Sequence, residues 1–351
     1  MSKRKIILIQ GNSLYNRQRT ICGRVETILK NKGFDTVILD RTDYPEEHLF
    51  IGHLEELRPD AVFTMDLLGF ECRTVGDDIS YNGIPCLMAH FLSKAPWEYD
   101  ILNRRYNFTM FFYCTDPGYQ QVIKSHYERI VNIGCLETHS RNILSEKERH
   151  DCNIDVYLPC TYIPSDHIMQ QINALPDVFQ KIANYCINEL ESHPTLLFET
   201  VLTDCLQKIE FACESDELIE IMQALKCIPN YIKMHYLETL INNLIEKQIK
   251  VSVSGQGWNQ YRPSNKTYFH EMGRNGVSYE KCEEIMQNSK AVINYERINR
   301  IPVEELTERI MHDLRDDLTT DERNHPDFAS LKGKHYDLEA VISQILQDME
   351  L

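Results

Sequence analysis

The stretch from Val251 to Tyr295 constrains the fold of this chain more than any other. It begins with a short β-branched run that ends at Gly255-Gln256-Gly257, and Trp258 follows directly. Apolar residues then recur with helical spacing over 278–289, and a second apolar run follows at 291–295. Strand, glycine turn, helix and strand in this order predict a nucleotide-binding α/β domain, with Trp258 where open parallel sheets bind ligands.

Gly255 and Gly257 have two interpretations. Glycine carries no Cβ, so both residues would let the backbone approach a bound nucleotide closely. A plain turn is the other interpretation, because the third glycine of the dinucleotide fingerprint is missing and no Walker lysine follows. The sequence leaves both open.

Strand and helix patterns also alternate through residues 1–140, which we take as the N-terminal domain. The predicted strands cover 5–10, 36–40, 61–66, 84–90, 108–114 and 130–136, and the predicted helices cover 17–32, 46–57, 97–104 and 119–127. This alternation predicts a parallel, doubly wound sheet. Residues 141–152 are polar and lack an apolar period, so they are predicted to link this domain to a second one.

The second domain is predicted to cover 153–335. Its predicted elements include a strand at 154–160, a helical insert at 165–247 and a charged helix at 303–318. A closing helix is predicted after the domain, at 336–351. Within the insert we expect interruptions near Pro176, Pro194 and Pro229, because proline disrupts a helix interior.

Charge and hydropathy exclude several classes of protein. The 351 residues carry a net charge of −16, whereas binding nucleic acid or anionic lipid needs a basic surface. No run approaches the about 20 apolar residues of a membrane span. The apolar run near the start, Ile6–Ile9, is too short for a signal peptide. We expect neither a nucleic-acid partner nor a membrane span.

The 12 cysteines are scattered and form no CxxC pair. This pattern favours buried thiols in a reducing cytoplasm over a disulfide framework or a zinc site. Neither a metal nor a cofactor is expected.

Several segments resemble the spore-maturation (CgeB-type) glycosyltransferase family. In chain order they are RPDAVFTMD (58–66), IPCLMAHFLSKAPWEYD (84–100), FYCTD (112–116), 132–139, 153–164, GQGW (255–258) and 277–294. The resemblance implies a GT-B fold, in which two Rossmann-like domains face a cleft. It also implies transfer of a sugar from a nucleotide-sugar donor, as substrate, to an acceptor protein or glycan.

The resemblance breaks off after the strand at 291–295. In the family, a helix with an arginine, a glutamate and a glycine follows, and it contacts the donor. Here the chain passes from Asn294-Tyr295-Glu296-Arg297 into Ile301-Pro302, and no glycine lies between Gly276 and Gly333. The donor-side domain is therefore expected to be shortened. A non-catalytic relative that binds a partner protein is the alternative function.

Donor-site candidates lie in the second domain. They are Gly255, Gly257, Trp258, Tyr279, Asn294 and Arg297. Trp258 would stack on the base, Tyr279 would line the same pocket, and Arg297 would bind the diphosphate. Core packing is the alternative for the two aromatic residues, and a surface ion pair is the alternative for Arg297.

Acceptor-side and catalytic candidates follow the strands of the first domain. Gly11, Asn12 and Ser13 follow the first strand, His90 and Asp116 close the fourth and fifth, and His139 follows the sixth. In a parallel sheet these positions share one edge, where His90 would act as general base near neutral pH and Asp116 is the second catalytic candidate. Each residue is also an ordinary turn or cap residue. A nucleotide or small-ligand binder without transfer activity is a third hypothesis, and homo- or hetero-oligomerisation is left open.

Overall fold

The computed structural model describes thirteen stretches of the chain, and every structural statement below concerns them. They are 3–11, 17–66, 68, 87–92, 95–99, 110–114, 116–127, 130, 132–135, 153–273, 277–293, 301–314 and 338–351. The predicted linker 141–152 lies outside them.

The chain divides into two compact units. The first comprises Met1–His139, Ser215–Ile219 and Tyr336–Leu351, and the second comprises Ser140–Glu214 and Glu220–His335. The last helix of the chain thus belongs with the first 139 residues and not with the segment that precedes it.

The first unit contains a six-stranded parallel sheet of order β2-β1-β3-β4-β5-β6. The strands are β1 (Lys5–Gln10), β2 (Asp35–Asp40), β3 (Ala61–Met65), β4 (Leu87–Leu92), β5 (Met110–Cys114) and β6 (Asn132–Cys135). Its helices are α1 (Arg17–Asn31), α2 (Glu47–Leu57), α3 (Pro117–His126) and the last helix of the chain, α11 (Leu338–Asp348). Four consecutive residues of β1, Ile6–Ile9, are at most 1% exposed, so both faces of this interior strand are covered.

One face of this sheet is covered by α1 together with α11. Ile6 and Leu8 of β1 pack in one cluster with Leu29 of α1 and with Ile342 and Ile345 of α11. Alternate residues of a strand point to the same face, and this explains why the even-numbered residues of β1 share this cluster.

The second unit contains a four-stranded parallel sheet of order β10-β7-β8-β9. The strands are β7 (Ile154–Pro159), β8 (Val251–Ser254), β9 (Phe269–Glu271) and β10 (Ser289–Val292). The helix α9 (Tyr279–Gln287) packs against this sheet through Cys282 and Ile285, and α10 (Val303–Asp313) follows later in the chain.

The predicted helical insert forms five helices between β7 and β8. They are α4 (Ser165–Asn173), α5 (Asp177–Ser192), α6 (Phe198–Lys208), α7 (Ser215–Ala224) and α8 (Cys227–Glu246). The interruptions near Pro176, Pro194 and Pro229 are all confirmed, the last because α7 ends at Ala224 and α8 begins at Cys227. Pro229 lies in the first turn of α8, where backbone N–H groups have no intrahelical partner and proline is tolerated.

Several sequence-based assignments differ from the structure. The fourth strand runs to Leu92 instead of ending at His90, and its predicted residues 84–86 lie outside the described stretches. Of the helix predicted at 97–104, residues 97 and 98 belong to a 3-10 turn at Pro96–Glu98, and residues 100–104 lie outside the described stretches. The short strand β9 was missed, because three residues are too few for an alternation to be recognised.

The fold is mixed α/β with two parallel sheets. Within the described stretches, no helix has the length and apolar character needed to cross a bilayer.

Candidate functional site

The carboxyl ends of β7 and β8 form the best-defined candidate site of the second unit. In the sheet, β8 and β9 lie on one side of β7, and β10, the last of the four strands along the chain, lies on the other side of β7. The order therefore reverses between β7 and β10. In open α/β sheets, ligands bind outside the carboxyl ends of the strands at such a reversal.

Two backbone hydrogen bonds join the loop after β7 to the loop after β8. The Cys160 N–H donates to the Ser254 carbonyl at 3.0 Å, and the Tyr162 N–H donates to the Gln256 carbonyl at 2.9 Å. The glycine turn is thus held against a segment almost a hundred residues earlier in the chain.

Gly257 is required by this contact between the loops. Its φ is +87°, and a Cβ placed on it would lie 2.0 Å from the Tyr162 carbonyl oxygen. Gly255 also has a positive φ, of 132°. The close approach that the sequence suggested for a ligand is therefore made, at Gly257, to the protein's own backbone.

Trp258 is a core side chain. It is 1% exposed, its indole Nε1–H donates to the Cys160 carbonyl at 2.7 Å, and its ring stacks on Tyr162 with 4.8 Å between centroids. These contacts agree with core packing, the alternative to stacking on a nucleotide base. A ligand at this loop would contact the backbone and not the indole face.

A carboxylate occupies the beginning of α4, directly after the β7 loop. Glu238 of α8 accepts hydrogen bonds from the Tyr162 hydroxyl at 2.7 Å, the Ser165 N–H at 3.0 Å and the Ser165 hydroxyl at 2.6 Å. Burial and the Glu238 carboxylate raise the pKa of Tyr162, so its hydroxyl stays protonated and donates. Sequence reasoning missed Glu238, because nothing local marks a glutamate inside an amphipathic helix.

The other donor-site candidates are less well defined. Tyr279 is the first residue of α9, after the Ser278 cap, but its side chain lies outside the described part of the structure. Asn294 and Arg297 lie outside the described residues altogether. For these three residues the sequence-based assignment stays a prediction.

The first unit has its own reversal of strand order, between β1 and β3. Gly11 follows β1 at this point and is buried, and a Cβ on it would lie 2.8 Å from the Leu68 Cδ2 atom. Asn12 and Ser13 lie outside the described residues. Asp66 follows β3, and its Oδ1 atom accepts a hydrogen bond from the Tyr99 hydroxyl at 2.6 Å.

Asp40, at the end of β2, is a hydrogen-bonded carboxylate at the same carboxyl edge of the sheet. Its oxygens accept from Gln10 Nε2 at 3.0 Å and from the Thr42 N–H at 3.0 Å, and they pair with Arg19 at 2.8 Å. Burial acts to raise the pKa of Asp40, but the hydrogen bonds from Thr42 and Gln10 and the Arg19 charge outweigh it, and the pKa is lowered. Sequence reasoning missed Asp40 and Asp66, although each is the last residue of a predicted strand.

Replacing Asp40 with asparagine is expected to destabilise the protein by about 1 kcal/mol at pH 7. Because the folded-state pKa is depressed, the stabilisation is complete above the ordinary carboxyl pKa of about 4 and is lost as pH falls through the lowered value. Urea unfolding of both proteins at pH 7 and near pH 3 should show the difference shrinking at low pH. The exposed Asp43→Asn is the matched control, and an equal difference at both pH values would contradict the assignment.

Of the catalytic and remaining acceptor-side candidates, the structure describes the backbone of His90 and the whole of Asp116. His90 lies inside β4, in register with Thr64 and Phe112, roughly 7 Å before the carboxyl end, so its predicted place as the strand's last residue is wrong. The reason is that β4 continues through two more apolar residues. The His90 side chain and His139 lie outside the described structure.

Asp116 caps α3. Its Oδ1 atom accepts from the Gly118 N–H at 2.7 Å, and the residue is 8% exposed. The end of β5, which Asp116 follows, is three strand spacings, about 14 Å, from the end of β1 and Gly11. Gly11 and Asp116 therefore share an edge of the sheet but do not meet.

Among the described residues, no group of three or more histidine, cysteine or acidic side chains is arranged to hold a metal ion. Comparison with protein-family models, with curated proteins and with solved structures finds no match for this chain.

Proposed function

We propose that the chain is a GT-B, CgeB-like glycosyltransferase-type protein that binds a nucleotide-sugar through its second unit and an acceptor protein or glycan through its first. The observation that carries the proposal is the reversal of strand order between β7 and β10, with the glycine loop of β8 at the same edge. The segments that resemble the family include both of these strand ends.

The chemistry of such a site needs no metal in principle. Backbone N–H groups, helix N-termini and basic side chains can stabilise the leaving diphosphate. In this chain the first basic residue after the end of β10 is Arg297. Its proposed role is to bind the diphosphate.

A thermal-shift screen against UDP, GDP, TDP and CMP and their sugar conjugates tests the proposal. A ligand at about 100 times its dissociation constant adds roughly 2.7 kcal/mol to the free energy of unfolding, which is a visible shift. We expect one nucleotide family to give this shift and its sugar conjugate to give a larger one. A shift that is indifferent to the sugar would favour a plain nucleotide binder.

Arg297→Ala is the variant to compare in the same screen. It is expected to lose most of the ligand-induced shift while keeping the melting temperature of the free protein. Lys266→Ala, which removes an exposed charge between β8 and β9, is the matched control. Gly257 is unsuitable for this purpose, because its substitution would disrupt the loop itself.

A second candidate function is a non-catalytic, partner-binding relative, and one contact favours it. The beginning of a helix attracts anions, because its N–H groups are unpaired and its dipole is positive there. At α4 this position is filled by Glu238, which is bound through both carboxylate oxygens. A donor diphosphate would have to displace this carboxylate or bind elsewhere.

Glu238→Ala separates these two functions. If Glu238 blocks a diphosphate site, the wild-type protein shows no nucleotide-induced shift and the variant gains one. Glu246→Ala, which removes an exposed carboxylate from the same helix, is the control. No shift in either protein would exclude blocking by Glu238. A nucleotide-induced shift in the wild-type protein would exclude a relative whose diphosphate site is blocked.

A further inference from the structure

Two cysteines lie side by side at the carboxyl edge of the first sheet. Cys114 is the last residue of β5 and Cys135 the last of β6, and the two are direct partners in the strand register. Neighbouring strands are about 4.8 Å apart, which falls within the ~4.4–6.8 Å between Cα atoms that a disulfide spans. Directly paired residues also present their side chains on the same face of a sheet.

The two thiols differ in their access to solvent. Cys114 is fully buried, and its Sγ atom lies 3.4 Å from the Asp116 carbonyl and 3.7 Å from the Gly134 carbonyl. Cys135 is partly exposed. Cys135 is therefore the thiol that a dissolved oxidant reaches first. Burial raises the pKa of Cys114 to about 12, which keeps that thiol protonated and less reactive.

We propose that Cys114 and Cys135 form a redox modification site, which closes to a disulfide when the protein meets a peroxide. The Cys135 sulfur attacks one peroxide oxygen, the O–O bond breaks, and Cys135 becomes a sulfenic acid as one water leaves. The Cys114 sulfur then attacks the Cys135 sulfur, the S–O bond breaks, and a second water leaves with the Cys114 proton. Two thiols lose two electrons, and one hydrogen peroxide is reduced to two waters.

The disulfide would link β5 to β6 beside the cap of α3. Cys114 is two residues before Asp116, whose side chain holds the first turn of that helix. Oxidation would therefore crosslink the carboxyl ends of β5 and β6 next to Asp116, a predicted catalytic residue. The inference does not depend on the proposed function, because it rests on the strand register and on the exposure of the two thiols.

The chain supplies an internal control. Cys186 and Cys205, on α5 and α6, also lie within hydrogen-bonding reach of each other, but they are 0% and 4% exposed. Neither is open to a dissolved peroxide in the folded protein. Proximity alone predicts oxidation of both pairs, whereas proximity with access predicts oxidation of the first pair only.

Mass-spectrometric peptide mapping tests the proposal on the folded, full-length protein. The protein is treated with hydrogen peroxide, its remaining thiols are alkylated under denaturing conditions, and the digest is compared before and after a dithiol reductant. We expect a reducible Cys114–Cys135 peptide and unlinked Cys186 and Cys205. The link should be lost in Cys135→Ser and kept in Cys213→Ser, which removes another partly exposed thiol.

Two results would overturn the proposal. One is over-oxidation of Cys135 while Cys114 remains a thiol, and the other is a Cys114–Cys135 link that appears only after unfolding. Both results come from the wild-type protein, so they decide the matter even where a cysteine variant fails to fold.

Discussion

Gly257→Ala is expected to destabilise the second unit by more than about 3 kcal/mol, which is a large part of the stability of an ordinary domain. Two costs add. A φ of +87° is unfavourable for any residue with a Cβ, and the new methyl group would lie 2.0 Å from the Tyr162 carbonyl oxygen. That oxygen belongs to backbone that is itself hydrogen-bonded to Gln256 and cannot move aside without breaking the link between the two loops.

Two other glycines separate these costs. Gly33 has a φ of +93° with nothing within 4 Å of a built Cβ, so Gly33→Ala isolates the backbone cost, about 1–2 kcal/mol. Gly52 lies in α2 with open space around it, so Gly52→Ala is expected to be neutral or to stabilise the protein by up to about 1 kcal/mol.

Urea unfolding followed by tryptophan fluorescence measures the three variants. The chain has two tryptophans, one in each unit, and both are buried. A Trp97→Phe background leaves Trp258 as the reporter for Gly257→Ala in the second unit, and a Trp258→Phe background leaves Trp97 as the reporter for Gly33→Ala and Gly52→Ala in the first. If Gly257→Ala cost no more than Gly33→Ala in its own unit, the contact with Tyr162 would not constrain the loop.

The double variant Ile342→Ala, Ile345→Ala is expected to unfold the first unit at a much lower urea concentration. Both side chains are fully buried in the cluster that α11 forms with α1 and β1. Removing a buried isoleucine side chain costs about 2–5 kcal/mol. The loss of both therefore approaches the whole stability of a domain.

Glu339→Ala is the control for this variant. Glu339 lies on the same helix, with a side chain that is 72% exposed and 3.8 Å from Lys32, and such pairs contribute within about 1 kcal/mol. A Trp258→Phe background leaves Trp97 as the reporter of the first unit. An unchanged Trp97 transition in the double variant would mean that α11 does not stabilise that unit.

The sequence by itself determined most of the elements of secondary structure. The apolar run at Ile6–Ile9 identified β1, and the helical periods identified α1 and α9. These features are local, because the side-chain period along a strand or helix fixes which face is buried whatever packs against it. The parallel sheets followed from the alternation of strands and helices.

Only the tertiary structure decided what each buried face and each loop contacts. Nothing near Gly257 in the sequence indicates that its partner is the Tyr162 backbone, and nothing near Ser165 indicates that Glu238 binds the start of α4. The last helix has an amphipathic pattern that would suit either unit, yet it packs on α1. A local pattern specifies that a side chain is buried or a backbone approaches closely, but the partner is set by chain segments tens to hundreds of residues away, which that pattern does not encode.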